Sequence, residues 1–66
     1  MGITYKKLWK LLIDKDMTKT TLRQQTDIAS STLSKMSKNE YVSLEVLVRI
    51  CYALDCELSD IAEIER

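Results

Sequence analysis

The side chains best suited to chemistry in this 66-residue chain are small hydroxyls and a lysine at helical spacing. The sequence predicts a helix from Ser30 to Ser37, in which Leu33 and Met36 face inward at i, i+3 spacing. Its outer face would carry Ser30, Ser31, Ser34 and Lys35. These groups donate and accept hydrogen bonds without bulk, which suits a helix that lies in the major groove of a duplex.

Other kinds of chemistry are poorly provided for. The chain has no His, so the commonest general base and metal ligand are both missing, and Gly2 is its only glycine, so no glycine-rich phosphate loop exists. Cys51 and Cys56 would need two more soft ligands to make a four-ligand zinc site. We interpret them as core thiols in a reducing compartment, and we predict neither an enzyme nor a cofactor.

The outer face of residues 30–37 depends on the segment before it. Thr18 is a natural N-cap for a helix from about Lys19 to Gln25, and Leu22 is that helix's buried anchor. Asp27 lies where the chain must turn, because Asp tolerates the left-handed conformation better than most residues. The stretch from Thr18 to Ser37 therefore predicts two short helices joined by a tight turn.

The remaining segments predict three more helices around one core. The first covers Ile3 to Asp14, with an inward face formed by Tyr5, Leu8, Trp9 and Leu12. The fourth follows a Ser43 N-cap and ends at Asp55, and its inward stripe is Leu44, Leu47, Cys51 and Leu54, widened by Val48 and Ile50. The fifth runs from Leu58 to Glu63 and offers Leu58, Ile61 and Ile64. We expect one all-α domain of five helices over residues 1–66.

The charge is distributed unevenly although its sum is zero. Residues 1–40 hold eight bases and four acids, a net charge of +4, whereas residues 41–66 hold two bases and six acids, a net charge of −4. A polyanion would be attracted by the first part and repelled by the second, which would orient an encounter. Alternatively, both sets of charges form ordinary solvated faces.

The order of these motifs resembles a known family. The runs MTKTTL, DIA, SSTLSKM and NEYVSLEVL, followed by LVRICYALDC, resemble the phage-repressor-like helix-turn-helix regulators, in particular the small bacterial Cro and xenobiotic-response-element type. The resemblance implies a compact five-helix, lambda-repressor-like fold with a helix-turn-helix at helices two and three. By this resemblance Lys19 contacts the DNA backbone, helix three faces base edges with Ser30, Ser31, Ser34 and Lys35, and the following loop holds phosphates with Lys38, Asn39 and Tyr41.

We therefore predict a cytoplasmic, sequence-specific, DNA-binding transcriptional regulator that acts on double-stranded DNA as a homodimer. Helix three would enter the major groove of a palindromic operator. Ile61 and Ile64 either form the dimer surface or close the core, and Tyr41 either packs on the helix or reaches a phosphate. Two alternatives stay open: a protein-interaction or antitoxin-like module on the same fold, and a nonspecific DNA-coating protein. We expect no membrane segment and no small-molecule ligand.

Overall fold

The computed structural model describes residues 2–66, which form four helices and two short strands. In chain order they are β1 (Gly2–Thr4), α1 (Lys6–Asp14), α2 (Lys19–Thr26), α3 (Ser30–Ser37), α4 (Leu44–Leu54), a 3₁₀ turn (Leu58–Asp60) and β2 (Glu63–Glu65). No helix within residues 2–66 is long and apolar enough to cross a membrane. The helix-turn-helix is α2 and α3, and the bounds predicted for α3 are confirmed.

Two helices begin at hydroxyl caps. Thr18 Oγ1 accepts a hydrogen bond from the Thr21 backbone N–H at 3.1 Å, and Ser43 Oγ accepts one from the Val46 N–H at 3.3 Å. Both caps confirm the sequence prediction. Each satisfies a backbone donor that the helix itself cannot pair.

All four helices end at an Asp or Asn in the left-handed region, with φ between 52° and 58°: Asp16, Asp27, Asn39 and Asp55. This confirms the expected turns at Asp27, Asn39 and Asp55. After α1, α3 and α4, the next backbone N–H donates to the carbonyl five residues earlier, in the Schellman pattern. These bonds are Met17 to Leu12 at 2.9 Å, Glu40 to Lys35 at 2.9 Å and Cys56 to Cys51 at 3.0 Å.

The predicted fifth helix is wrong. Only a 3₁₀ turn forms at Leu58–Asp60, closed by a capping box between Glu57 and Asp60. The chain then extends into β2, so the i, i+3 spacing of Ile61 and Ile64 does not describe a helix. Ile61 is fully buried and closes the core, whereas Ile64 is 64% exposed. Ile61 therefore cannot form a dimer surface.

The first helix also starts later than predicted, at Lys6 instead of Ile3. Residues Gly2–Thr4 form β1, which pairs antiparallel with β2 so that Ile3 lies opposite Ile64. Local periodicity cannot reveal this, because the partner strand is some sixty residues away along the chain. Thr4 Oγ1 also accepts a hydrogen bond from the Lys6 N–H at 3.3 Å.

One hydrophobic core joins all four helices. Its fully buried members are Tyr5, Leu8, Leu22, Met36, Ile50 and Ile61. Trp9, Leu33 and both cysteines pack against it while remaining partly accessible. The expected inward stripe of α4 is wrong at Leu44, which is 63% exposed, and Val48 and Leu58 are exposed as well. The side of α4 that packs in the core is instead formed by Leu47, Ile50 and Leu54.

We predict that Asp16→Gly raises the free energy of unfolding by about 1 kcal/mol. Asp16 has a φ of 57° and is exposed, and glycine adopts that conformation without the Cβ clash. The change also removes a negative charge from the C-terminal end of α1, where the helix dipole disfavours it. Chemical denaturation of both proteins measures the difference.

Asp16→Ala is the matched control because it removes the same charge but keeps a Cβ. It should be less stable than Asp16→Gly by about 1–2 kcal/mol. Equal stabilities of the two variants would show that the left-handed backbone at this position carries no strain.

Candidate nucleic-acid interface

The structure places all eight predicted contact residues on the surface. Each has an exposed side chain: Lys19, Ser30, Ser31, Ser34, Lys35, Lys38, Asn39 and Tyr41. On α3, Met36 is buried and Leu33 is partly buried, so the two sides of this helix divide as the spacing indicates. Four small or basic side chains thus share the outer side of one short helix.

The N-terminus of α3 is open. Its N-cap is Ala29, which has no side-chain acceptor, and the first backbone bonds run from Thr32 and Leu33 to the Ala29 carbonyl. The N–H groups of Ser30 and Ser31 therefore have no carbonyl acceptor within the helix. Such an end carries a partial positive charge and is a suitable place for an anion.

The loop after α3 is held in place by Tyr5, which the sequence places on the inward face of the first helix. The Tyr5 hydroxyl donates to the Glu40 carbonyl oxygen at 2.8 Å, and the Tyr5 backbone N–H donates to Asn39 Oδ1 at 3.2 Å. Burial raises the pKa of the Tyr5 hydroxyl, and the backbone of Val42 partly offsets this. The hydroxyl therefore stays protonated and available as a donor. The bonded residues are separated by 34 and 35 positions in the chain, so no local sequence signal reveals these bonds.

The same loop brings some of the predicted residues together. Lys35 and Tyr41 line one hollow of about 300 Å³ between α3 and the start of α4, beside the Ser43 cap. Asn39 and Tyr41 line a second hollow with Gly2. Tyr41 is 72% exposed, so it does not pack into the core. Its two predicted roles, packing on the helix or reaching a phosphate, both stay predictions.

Lys19 links three helices. Its ammonium Nζ lies 4.2 Å from the centre of the Trp9 ring on α1 and donates to Ser37 Oγ on α3 at 3.2 Å. A cation above an indole face is attracted by the ring quadrupole. Trp9 and Ser37, which sequence reasoning did not assign to this surface, therefore position the Lys19 charge at the end of α3.

Two acids of the last third of the chain form ion pairs. Glu63 forms a salt bridge with Lys7 at 3.8 Å, and Glu45 pairs with Arg49 on α4 at 3.2 Å. Asp27 is the one acid in the turn between α2 and α3, and it is exposed. Within residues 2–66, no cluster of three or more metal-ligating side chains is present.

Comparisons with known proteins agree with this geometry. The family model for the Cro/C1-type HTH DNA-binding domain matches residues 7–66. The solved structure of transcriptional regulator VanUg, crystal form II, superposes with a TM-score of 0.92 at 52% sequence identity. The alignment covers 94% of this chain and 83% of that one. No curated protein matches the chain.

We predict that Tyr5→Phe lowers the free energy of unfolding by about 1–2 kcal/mol, because the Glu40 carbonyl loses its donor in a partly buried place. Tyr52→Phe is the matched control, since Tyr52 is 84% exposed and its hydroxyl makes no hydrogen bond within the described residues. Its effect should stay within about 0.5 kcal/mol. Urea denaturation measures both, and similar losses in the two variants would refute the anchoring role of Tyr5.

Proposed function

The chain belongs to the Cro/C1-type helix-turn-helix DNA-binding family, and from this we propose that it is a transcriptional regulator that reads DNA sequence with α3. The observation that carries the proposal is the outer side of α3, where Ser30, Ser31, Ser34 and Lys35 are all exposed. A helix with this face fits the major groove, where serines bond to any base and lysine favours guanine O6 and N7. VanUg, to which the chain is similar, is itself a transcriptional regulator.

Phosphate contacts would fix the position of α3. We assign them to Lys19 before α3 and to Lys38, Asn39 and Tyr41 after it. Asn39 already uses its Oδ1 to bind Tyr5, so its amide nitrogen remains for a phosphate oxygen. Because the Lys19 ammonium lies beside Ser37, these contacts gather at the C-terminal end of α3. Phosphate contacts set register and orientation, while the helix itself supplies specificity.

The charge arrangement supports this orientation. Lys19, Lys35 and Lys38 are exposed near α3, and the unpaired end of that helix adds a partial positive charge. Charge in one region of a neutral protein steers a polyanion toward that region. The negative charge of Asp27 in the turn weakens this attraction. We therefore expect only a few phosphate contacts to contribute to the free energy of binding.

We further propose that the regulator binds as a homodimer through the exposed side of α4. Leu44, Val48 and Tyr52 follow each other at i, i+4 and i+8, and all three are exposed. Two copies of α4 packed antiparallel about a two-fold axis would place Leu44 of one against Tyr52 of the other. The Glu45 and Arg49 pair beside this stripe is self-complementary under the same axis, so each arginine could meet the second copy's glutamate. This surface replaces the predicted one at Ile61.

We predict that Lys35→Ala and Lys38→Ala weaken DNA binding in different ways. In a selection from random duplexes, Lys35→Ala should relax the preferred sequence at one position, a loss of about 1–3 kcal/mol against the wild-type site. Lys38→Ala should keep the preferred sequence. It should lower the slope of log K against log salt by about 0.9, which corresponds to one phosphate contact.

Lys10→Ala is the matched control for both. Lys10 is exposed on α1, in a hollow that also contains Ser59 and Asp60 and none of the proposed contact residues. Its loss removes the same charge and should leave both the selected sequence and the salt slope unchanged. If all three variants bind mixed-sequence duplexes like the wild type, or if no duplex is bound at low salt, the regulator proposal is wrong.

We predict that Tyr52→Glu abolishes self-association, because it places four carboxylates at the proposed interface when Glu45 is included. Ile13→Glu is the control, since Ile13 is a lone apolar side chain on α1 and is 75% exposed. Sedimentation velocity over a range of concentrations should show a monomer for Tyr52→Glu and a dimer for Ile13→Glu. A monomer for the wild type, or equal association of both variants, would contradict this surface.

A further inference from the structure

Two thiols meet at the end of α4. The left-handed residue Asp55 ends this helix, and the Cys56 N–H then donates to the Cys51 carbonyl oxygen at 3.0 Å while the Asp55 N–H donates to the Tyr52 carbonyl at 3.4 Å. This is the Schellman arrangement, which is frequently accompanied by an apolar side-chain contact between its first and last residues. Here both of these positions are cysteines.

The two thiols lie in the same hollow and remain partly accessible. They are close enough to shift each other's pKa. Both are free and partly buried, and both line a hollow of about 320 Å³ with Val48, Tyr52 and Leu58. In the monomer, a small oxidant can therefore reach both sulfur atoms through this hollow, two of whose lining residues, Val48 and Tyr52, also belong to the proposed dimer surface.

We propose that Cys51 and Cys56 form a two-electron oxidation site, which a hydroperoxide converts into an intramolecular disulfide across the end of α4. The Cys51 thiolate attacks the peroxide oxygen, the O–O bond breaks, and the alcohol or water leaves, so that Cys51 becomes a sulfenic acid. The Cys56 thiolate then attacks that sulfur and displaces hydroxide, which leaves as water. The sum is two thiols and one hydroperoxide giving one disulfide, one alcohol and one water. This modification goes beyond the proposed DNA-binding function and does not depend on it.

The surroundings of the two thiols make their oxidation slow at neutral pH. Burial raises the pKa of both thiols, that of Cys56 to about 11. Glu57 and Asp60 also raise the pKa of Cys51, and Cys51 and Asp60 also raise that of Cys56. Lys15 lowers the pKa of Cys56. The neighbouring Cys56 partly offsets the rise in the pKa of Cys51, which makes Cys51 the better attacking group. The other charged side chains around the two thiols are Lys7, Lys10, Asp14 and Asp55.

The test is the equilibrium between the thiol pair and a glutathione buffer, measured for the native chain and for the chain unfolded in guanidinium. We expect the native protein to favour the disulfide at least tenfold more than the unfolded chain does, which corresponds to about 1.4 kcal/mol. Intact mass should fall by about two daltons, the mass of two hydrogens, and the product should remain a monomer on a non-reducing gel. With hydrogen peroxide as the oxidant, the rate should rise about tenfold per pH unit between pH 7 and 8 because the thiolate fraction does so.

Cys51→Ser and Cys56→Ser are the paired controls, with Cys51→Ala and Cys56→Ala as second versions if a serine variant is unstable. Each should give only a glutathione adduct or an intermolecular disulfide. The proposal is overturned if the native chain favours the disulfide no more than the unfolded chain. It is also overturned if the oxidised wild type consists of such adducts or intermolecular dimers.

Discussion

Every helix of this protein must end without a glycine or a proline, and this constraint shapes the whole fold. The only glycine lies in β1 and there is no proline, so each helix ends at an Asp or Asn in the left-handed region. That conformation costs roughly 1 kcal/mol more for a residue with a Cβ than for glycine, and three of the four residues are acids at the negative end of a helix dipole. The turns persist because apolar residues follow three of them: Met17, Ile28 and Cys56, which pack on or within the core.

The proposed DNA-binding surface depends on contacts between distant parts of the chain. Tyr5 joins the start of α1 to the loop after α3, and Lys19 joins α2 to both α1 and α3. The two-stranded sheet keeps Gly2–Thr4 beside Glu63–Glu65. Because the loop after α3 is bonded to α1, its lysine and tyrosine would meet a duplex as parts of a rigid frame. Such preorganisation lowers the conformational entropy lost on binding.

The features that could be predicted from the sequence are those with a local signal. The Thr18 and Ser43 caps, the turns at Asp27 and Asn39, and the two sides of α3 each depend on residues within about five positions of one another. The wrong start of the first helix and the wrong fifth helix both result from long-range pairing. The spacing of Leu58, Ile61 and Ile64 fits a helix. However, the chain after Ile61 forms β2, which pairs with β1, and β1 is too far away in the sequence to be seen in a local window. Leu44 fits an inward stripe because α4 carries apolar residues on more than one side. No local feature of the sequence distinguishes an apolar side that packs in the core from one that is exposed.

The contact between Lys19 and Trp9 gives the molecule a built-in optical probe. Trp9 is the only tryptophan, and the ammonium of a proposed phosphate-binding residue lies 4.2 Å from its ring. A phosphate that draws the lysine away would change the electric field at the indole and therefore its emission. Intrinsic fluorescence can thus follow the engagement of one defined side chain in the unlabelled, unmodified protein.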